Sequence, residues 1–104
     1  MYIVIFVTAK NKEEAQAIAS KLVSEKLVAC ANIVDGVHSI FWWESKVDSA
    51  SEVLLILKSK KSLFKKIEKT IKSIHSYSVP EIIALPIVAG EKMYLKWIEN
   101  SIQK

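Results

Sequence analysis

The sequence contains no arginine, one cysteine, two glycines, two prolines and no apolar run longer than the eight residues Ile82 to Ala89. Each scarcity excludes something. Every one of the fifteen basic residues is lysine, so the formal charge of +4 comes without the planar guanidinium fork that reads guanine and phosphate. Nucleic acid is therefore not expected as a partner, and the lysine surplus reads as solvated surface. A single cysteine, Cys30, cannot build an internal disulfide, which fits a reducing compartment. Eight apolar residues fall far short of the roughly 20 that cross a bilayer, so no membrane association is expected. The start, "MYIVIFVTAK", has no basic region ahead of its apolar stretch and no small-residue cleavage site, so a cytoplasmic protein is expected. There is no glycine-rich phosphate cradle, CxxC, HExxH or GxSxG, and no enzyme is expected.

What is present is apolar and periodic. Hydrophobic residues make up 51% of the 104, enough for one core and one domain, 1–104, with no linker or low-complexity tract. Residues 2 to 8 are β-branched and aromatic and predict a strand. Asn11, three residues before Glu14, opens an amphipathic helix carrying Ala15, Ile18, Ala19, Leu22 and Val23 and ending near Lys26. Val28 to Trp43 is strand-like, with Asp35-Gly36 marking a bulge, bend or break. A polar connection, Ser45 to Ser51, is expected to lead into the strand "EVLLILKS". Leu63, Phe64, Ile67, Ile71 and Ile74 recur at helical spacing, with Lys65, Lys66, Lys69 and Lys72 on the wet side. A strand "IIALPIV" and a short helix after Gly90 complete the order. The fold class is α+β: a ferredoxin-like split β-α-β sandwich, βαββαβ plus a C-terminal helix.

That architecture leaves one sheet face without helices. Yet Ile3 to Val7, Val53 to Leu57 and Ile82 to Val88 are apolar at successive positions, so both faces are greasy, unlike a sheet that meets water on one side. Each aliphatic side chain left wet forgoes roughly 1.5 to 3 kcal/mol, against a domain stability of about 5 to 15 kcal/mol. The terminal helix, about three turns long, cannot roof four strands. Copies of the same chain are the expected cover, giving a homo-oligomer.

Few residues invite a chemical reading. His75 stands at the predicted end of the lysine-rich helix, where it either serves as a capping or interface histidine or contributes to a site. Tyr77 and Glu81 follow closely enough to share a cleft with it, orienting a small polar ligand or joining a metal site that a neighbouring subunit completes. Pro80 bars helical geometry at Val79 and is structural, turning the chain into the last strand. Cys30, among small apolar residues in "VACANI", is expected to be buried and inert. Trp42, Trp43 and Glu44 are expected at the hairpin tip, the tryptophans as anchors of a subunit contact. His38 has no partners nearby in sequence and reads as surface or interface.

Five blocks, "LVSEKLVACANI", "SIFWWESK", "EVLLILKS", "HSYSVPEIIALPI" and "YLKWI", resemble in order the CutA family of divalent-cation tolerance proteins. The resemblance implies a homotrimer of ferredoxin-like subunits similar to the PII signalling proteins. It implies binding of a divalent metal ion such as copper or zinc, with His75 and Glu81 as the metal candidates, or of a small ligand at intersubunit clefts. Trp43, Glu44, Lys58 and Tyr77 are the cleft residues it implies, and a role in metal-ion response or PII-like signalling follows. The alternative is a structural or adaptor trimer acting through a protein partner. This chain departs from the family pattern at Ser76 and Ser78, which replace a proline and a glutamate, at Trp42, often basic, and at Ser45, commonly glycine. The cysteine and additional histidine that some members use for copper correspond to Val7 and Ile74 here.

Overall fold

A computed structural model describes all residues, Met1–Lys104. Strand β1 (Tyr2–Ala9) leads to helix α1 (Lys12–Ser24), strands β2 (Cys30–Trp43) and β3 (Lys46–Lys60), and a 3₁₀ turn (Lys61–Leu63). Helix α2 (Phe64–Ile74), strand β4 (Ile82–Pro86) and helix α3 (Lys92–Ser101) follow. The strands form one sheet in the order β2-β3-β1-β4, every neighbouring pair antiparallel.

Alternation along the central strands divides the side chains between two faces. Ile3, Ile5 and Val7 of β1 and Val53, Leu55 and Leu57 of β3 pack with Ala15, Ile18 and Leu22 of α1 and Ile67 and Ile71 of α2 into one core. Lys65, Lys66, Lys69 and Lys72 lie exposed on the far side of α2, the solvated face the periodicity predicts. On the other face of the sheet, Val4, Phe6, Leu54 and Ile56 are only half-buried, and Ile83 and Leu85 of β4 are exposed. Helix α3 reaches one end of this face, where Glu99 accepts from the Tyr2 hydroxyl (3.4 Å) and pairs with Lys60 (2.7 Å). The rest stays open.

Local chemistry explains the joints. Asn11 Oδ1 accepts from the Glu14 N–H at 2.9 Å and caps α1. At its other end the Leu27 N–H donates to Leu22 O (3.0 Å) and the Lys26 N–H to Val23 O (3.0 Å), with Leu22 and Leu27 both buried. This Schellman ending places Lys26 at φ 58°.

The β2–β3 hairpin corrects one expectation. Strand β3 begins at Lys46, and the connection is only Glu44-Ser45, with φ 50° and 65°; Ser45 to Ser51 is strand instead of loop from its second residue on. Trp43 pairs with Lys46 across that turn, and two positive φ values match the twist of the flanking strands. The register shift between Val34 and Val37 is the bulge that Asp35-Gly36 signals, with Gly36 at φ 76°. Because β1 pairs with β3 only from Val53 to Lys60, the hairpin beyond Val53 projects as an arm, and the molecule extends 44 × 26 × 23 Å. Strand β4 stops at Pro86, two residues before the expected Val88, although the Ile87 N–H still donates to Tyr2 O at 2.9 Å.

Candidate functional site

The chain between α2 and β4, residues 75 to 81, has no regular structure and is held by side chains. The His75 side chain is fully buried. Its Nε2 is 2.8 Å from Thr8 O at the end of β1, and its Nδ1 accepts from the Tyr77 N–H at 3.0 Å, so the network assigns the proton to Nε2. Glu14 serves the same strap: one carboxylate oxygen accepts from the Lys10 N–H (3.0 Å) and the other from the Ser76 N–H (2.8 Å). Burial raises the Glu14 pKa, but the donors from Lys10 and Ser76, with a smaller contribution from His75, outweigh it and leave the value lowered. The Tyr77 ring lies 4.8 Å from the His75 ring, centroid to centroid.

Beyond Tyr77 the strap faces the root of the hairpin arm and encloses a groove of about 680 Å³. Ile40, Phe41, Trp43 and Val79 supply apolar wall, while Asp48, Glu52 and Glu81 supply three carboxylates. The Tyr77 hydroxyl donates to Glu52 Oε2 at 2.9 Å. Burial and then the Glu52 carboxylate push the Tyr77 phenol up to about 12. Burial and the same charge raise the Glu81 carboxyl above its ordinary value. Glu52 itself is only 9% exposed.

The structure thus brings Tyr77, Glu81 and Trp43 to one groove, with His75 behind it and Pro80 within its strap. It does not bring Lys58 there. Lys58 is six residues along β3 from Glu52, about 20 Å in an extended strand, on the open sheet face beside Cys30. Glu44 sits in the exposed hairpin turn next to Trp43, and His38 lies exposed on β2. Cys30 corrects an expectation: it is half-buried, with Lys58 Nζ at 3.8 Å and its thiol 3.8 Å from Asn32 Oδ1. Strand alternation turns it to the uncovered face, away from the core. Sequence reasoning missed Glu52, Asp48 and the strap role of Glu14. The available signal for Glu52 was a lone carboxylate at the head of the apolar run "VLLIL".

The family model for the CutA1 divalent ion tolerance protein matches residues 3–101. The chain belongs to this family. A rice (Oryza sativa subsp. japonica) relative, Protein CutA 1, chloroplastic, is 47% identical over 98% of this chain and 58% of its own length; the chain spans little more than half of that relative. The divalent cation tolerance protein of Thermus thermophilus superposes with a TM-score of 0.97 at 41% identity, covering 99% of this chain and 100% of that one. The Archaeoglobus fulgidus structure, described as a periplasmic divalent cation tolerance protein CutA, gives 0.96 at 40% identity over 99% and 100%.

The family's name directs attention to metal ions, and the donors of one chain can be judged against that. Both nitrogens of His75 are engaged with the backbone, whereas a histidine ligand needs one lone pair free. Cys30 pairs with Lys58 toward the far end of β3, about 20 Å along the strand from Glu52. No three His, Cys, Asp or Glu side chains converge on one point. A copper or zinc centre built from His75 and Glu81 does not fit this arrangement.

Proposed function

We propose that this chain is a ferredoxin-like subunit of a non-catalytic homotrimer that takes a small ligand in the groove between hairpin arm and strap. Through that ligand it serves divalent-cation tolerance or PII-like signalling in the cytoplasm. The groove carries the reading. It is the one place where apolar wall, a buried carboxylate and a phenol pushed up to about 12 meet on a surface closed by a pinned loop. Trimerisation is supported by the apolar face that α3 leaves open and by the unpaired outer edges of β2 and β4. No helix is long and apolar enough to cross a membrane. Family membership supports the tolerance role, and it leaves direct metal sequestration without a donor set in one chain.

Calorimetric titration with Cu²⁺, Zn²⁺ and small organic ions, repeated on His75→Ala and Glu81→Ala, tests the proposal. Saturable heat that Glu81→Ala abolishes supports it; silence from every ligand refutes it. The second reading, an adaptor trimer, draws on the arm tip, where Trp42 is 74% exposed and Val47 62%. Such a surface suits a protein partner.

A further inference from the structure

We infer that the outer face of α2 is a docking surface for an acidic, extended segment of another protein. The inference does not depend on the groove.

The distribution of charge comes first. Residues 61 to 74 contain five lysines, Lys61, Lys65, Lys66, Lys69 and Lys72, and one acid, Glu68. That surplus of four equals the formal charge of the whole chain, so the remaining ten lysines and ten acids cancel. All five lysines are exposed and none is in an ion pair, whereas Lys12, Lys21, Lys60 and Lys104 each have a carboxylate partner. Helical geometry sets Lys65, Lys69 and Lys72 within about 60° of one another, opposite the buried Ile67 and Ile71. Lys61, in the 3₁₀ turn, leads into this row. Lys66 flanks it and donates to Gln103 Oε1 at 3.1 Å.

Helix α1 shows how the same chain arranges charge when a helix serves the fold. Its first turn carries Glu13 and Glu14, its last turn carries Lys21, and Lys21 pairs with Glu25 at 2.8 Å, as the helix dipole and i,i+4 attraction favour. Helix α2 departs from both rules. It begins at Phe64 with no acid in its first turn, where Lys65 and Lys66 stand instead, and like charges follow at i,i+4 from Lys61 to Lys65 to Lys69. Both arrangements work against the helix. Local rules broken without a compensating contact inside the chain mark a functional position, and here the missing compensation is a row of carboxylates.

Placement and spacing select the occupant. Helix α2 packs on the sealed face of the sheet, so copies that cover the other face leave its lysines turned outward. Successive lysines along the row are about 6 Å apart, close to the roughly 6.7 Å between alternate side chains of an extended chain. Carboxylates at every second position of such a chain meet Lys61, Lys65, Lys69 and Lys72 in turn. Acidic segments poor in apolar residues are unfolded when free, and long lysine side chains adapt to them. A lipid surface suits the row less, because it offers no apolar side chain to insert and charge alone anchors weakly. Nucleic acid finds neither an arginine nor an exposed aromatic on α2.

The test is titration of the full chain with a peptide of alternating aspartate and serine, read by amide NMR shifts and calorimetry. An all-serine peptide, phosphatidylserine vesicles and duplex DNA run in parallel. The variants are Lys65→Gln/Lys69→Gln and, with the same charge removed from α3, Lys92→Gln/Lys96→Gln. The expected result is saturable binding of the acidic peptide alone, weakened by salt, with shifts confined to Lys61–Ser73. Affinity is expected to fall about tenfold or more in the α2 variant and less than about twofold in the α3 variant. The α2 variant is also expected to melt no lower than the parent, since its lysines repel one another; a lower melting temperature overturns the argument that the row serves a partner instead of the fold. Equal losses in the two variants overturn the site as attraction to net charge. Vesicles or DNA that bind more tightly than the peptide, and lose that binding in the α2 variant, overturn the acidic segment and give the row to lipid or nucleic acid. Silence from every probe overturns the proposal and returns α2 to a solvated face.

Discussion

At the scale of single residues, three non-glycine side chains hold positive φ, at Lys26, Glu44 and Ser45. Left-handed backbone costs an L-residue roughly 1 to 2 kcal/mol, part of which glycine returns as extra freedom of the unfolded chain. Lys26→Gly and Ser45→Gly are each expected to raise stability by about 0.5 to 1 kcal/mol, read as a higher guanidinium midpoint with unchanged slope. Gly90 is the opposite case. A Cβ there would meet Leu95 Cδ2 at 2.8 Å, so Gly90→Ala is expected to lower the midpoint unless that leucine re-rotates. Some residues were readable in advance and others were not. The Asn11 cap was legible because N-cap chemistry is local. The pairing of Glu52 with Tyr77 spans twenty-five positions, and nothing in either neighbourhood announces it. The Cys30 environment was misjudged for the same reason: small neighbours in sequence say nothing of which sheet face stays bare.

At the scale of elements, the strap is the segment whose form depends on side chains from elsewhere. Thr8 closes β1, Glu14 opens α1 and Glu52 belongs to β3, and each holds one point between His75 and Tyr77. Glu14 titrates below its ordinary 4.5 in the folded chain. A carboxylate lowered on folding stabilises the native state above its unfolded value, and that contribution is lost as pH falls through the folded one. Glu14→Gln is therefore expected to cost about 1 kcal/mol or more at neutral pH. Denaturant curves of the two proteins should draw together as the pH falls below 4.5 and through the lowered folded value; a gap that persists in strong acid would refute the charge argument. Hydrogen exchange should show the 76–81 amides loosening first in the variant. The long arm was the least legible element, because "KVDSASE" is polar on both sides and mimics a loop. Pairing with Val37–Trp43, the part of β2 beyond the bulge, makes it strand, and no composition rule overrides that tertiary pairing.

At the scale of the whole molecule, the governing fact is a sheet with one face sealed by α1 and α2 and another that α3 only partly covers. Sedimentation velocity at micromolar concentration is expected to give a species about three times the 11.7 kDa subunit mass. Ile83→Glu, placing a charge on the open face, is expected to shift that species toward monomer and to lower the denaturation midpoint. A folded monomer of the unmodified chain at that concentration would refute the assembly. A trimer would also settle whether Trp42 at the arm tip is buried between copies, through the blue shift of its fluorescence on association.

The sequence by itself determined the order of elements, the caps, the bulge and the two-faced strands, because each depends on periodicity or on residues within a turn of one another. Its five matching blocks also pointed to the family. The tertiary structure alone decided that Lys58 is far from Tyr77, that both nitrogens of His75 are engaged, and that three carboxylates share a groove. Those outcomes depend on which strands become neighbours and on where the bulge turns the arm, and chain folding sets both over distances no local pattern spans.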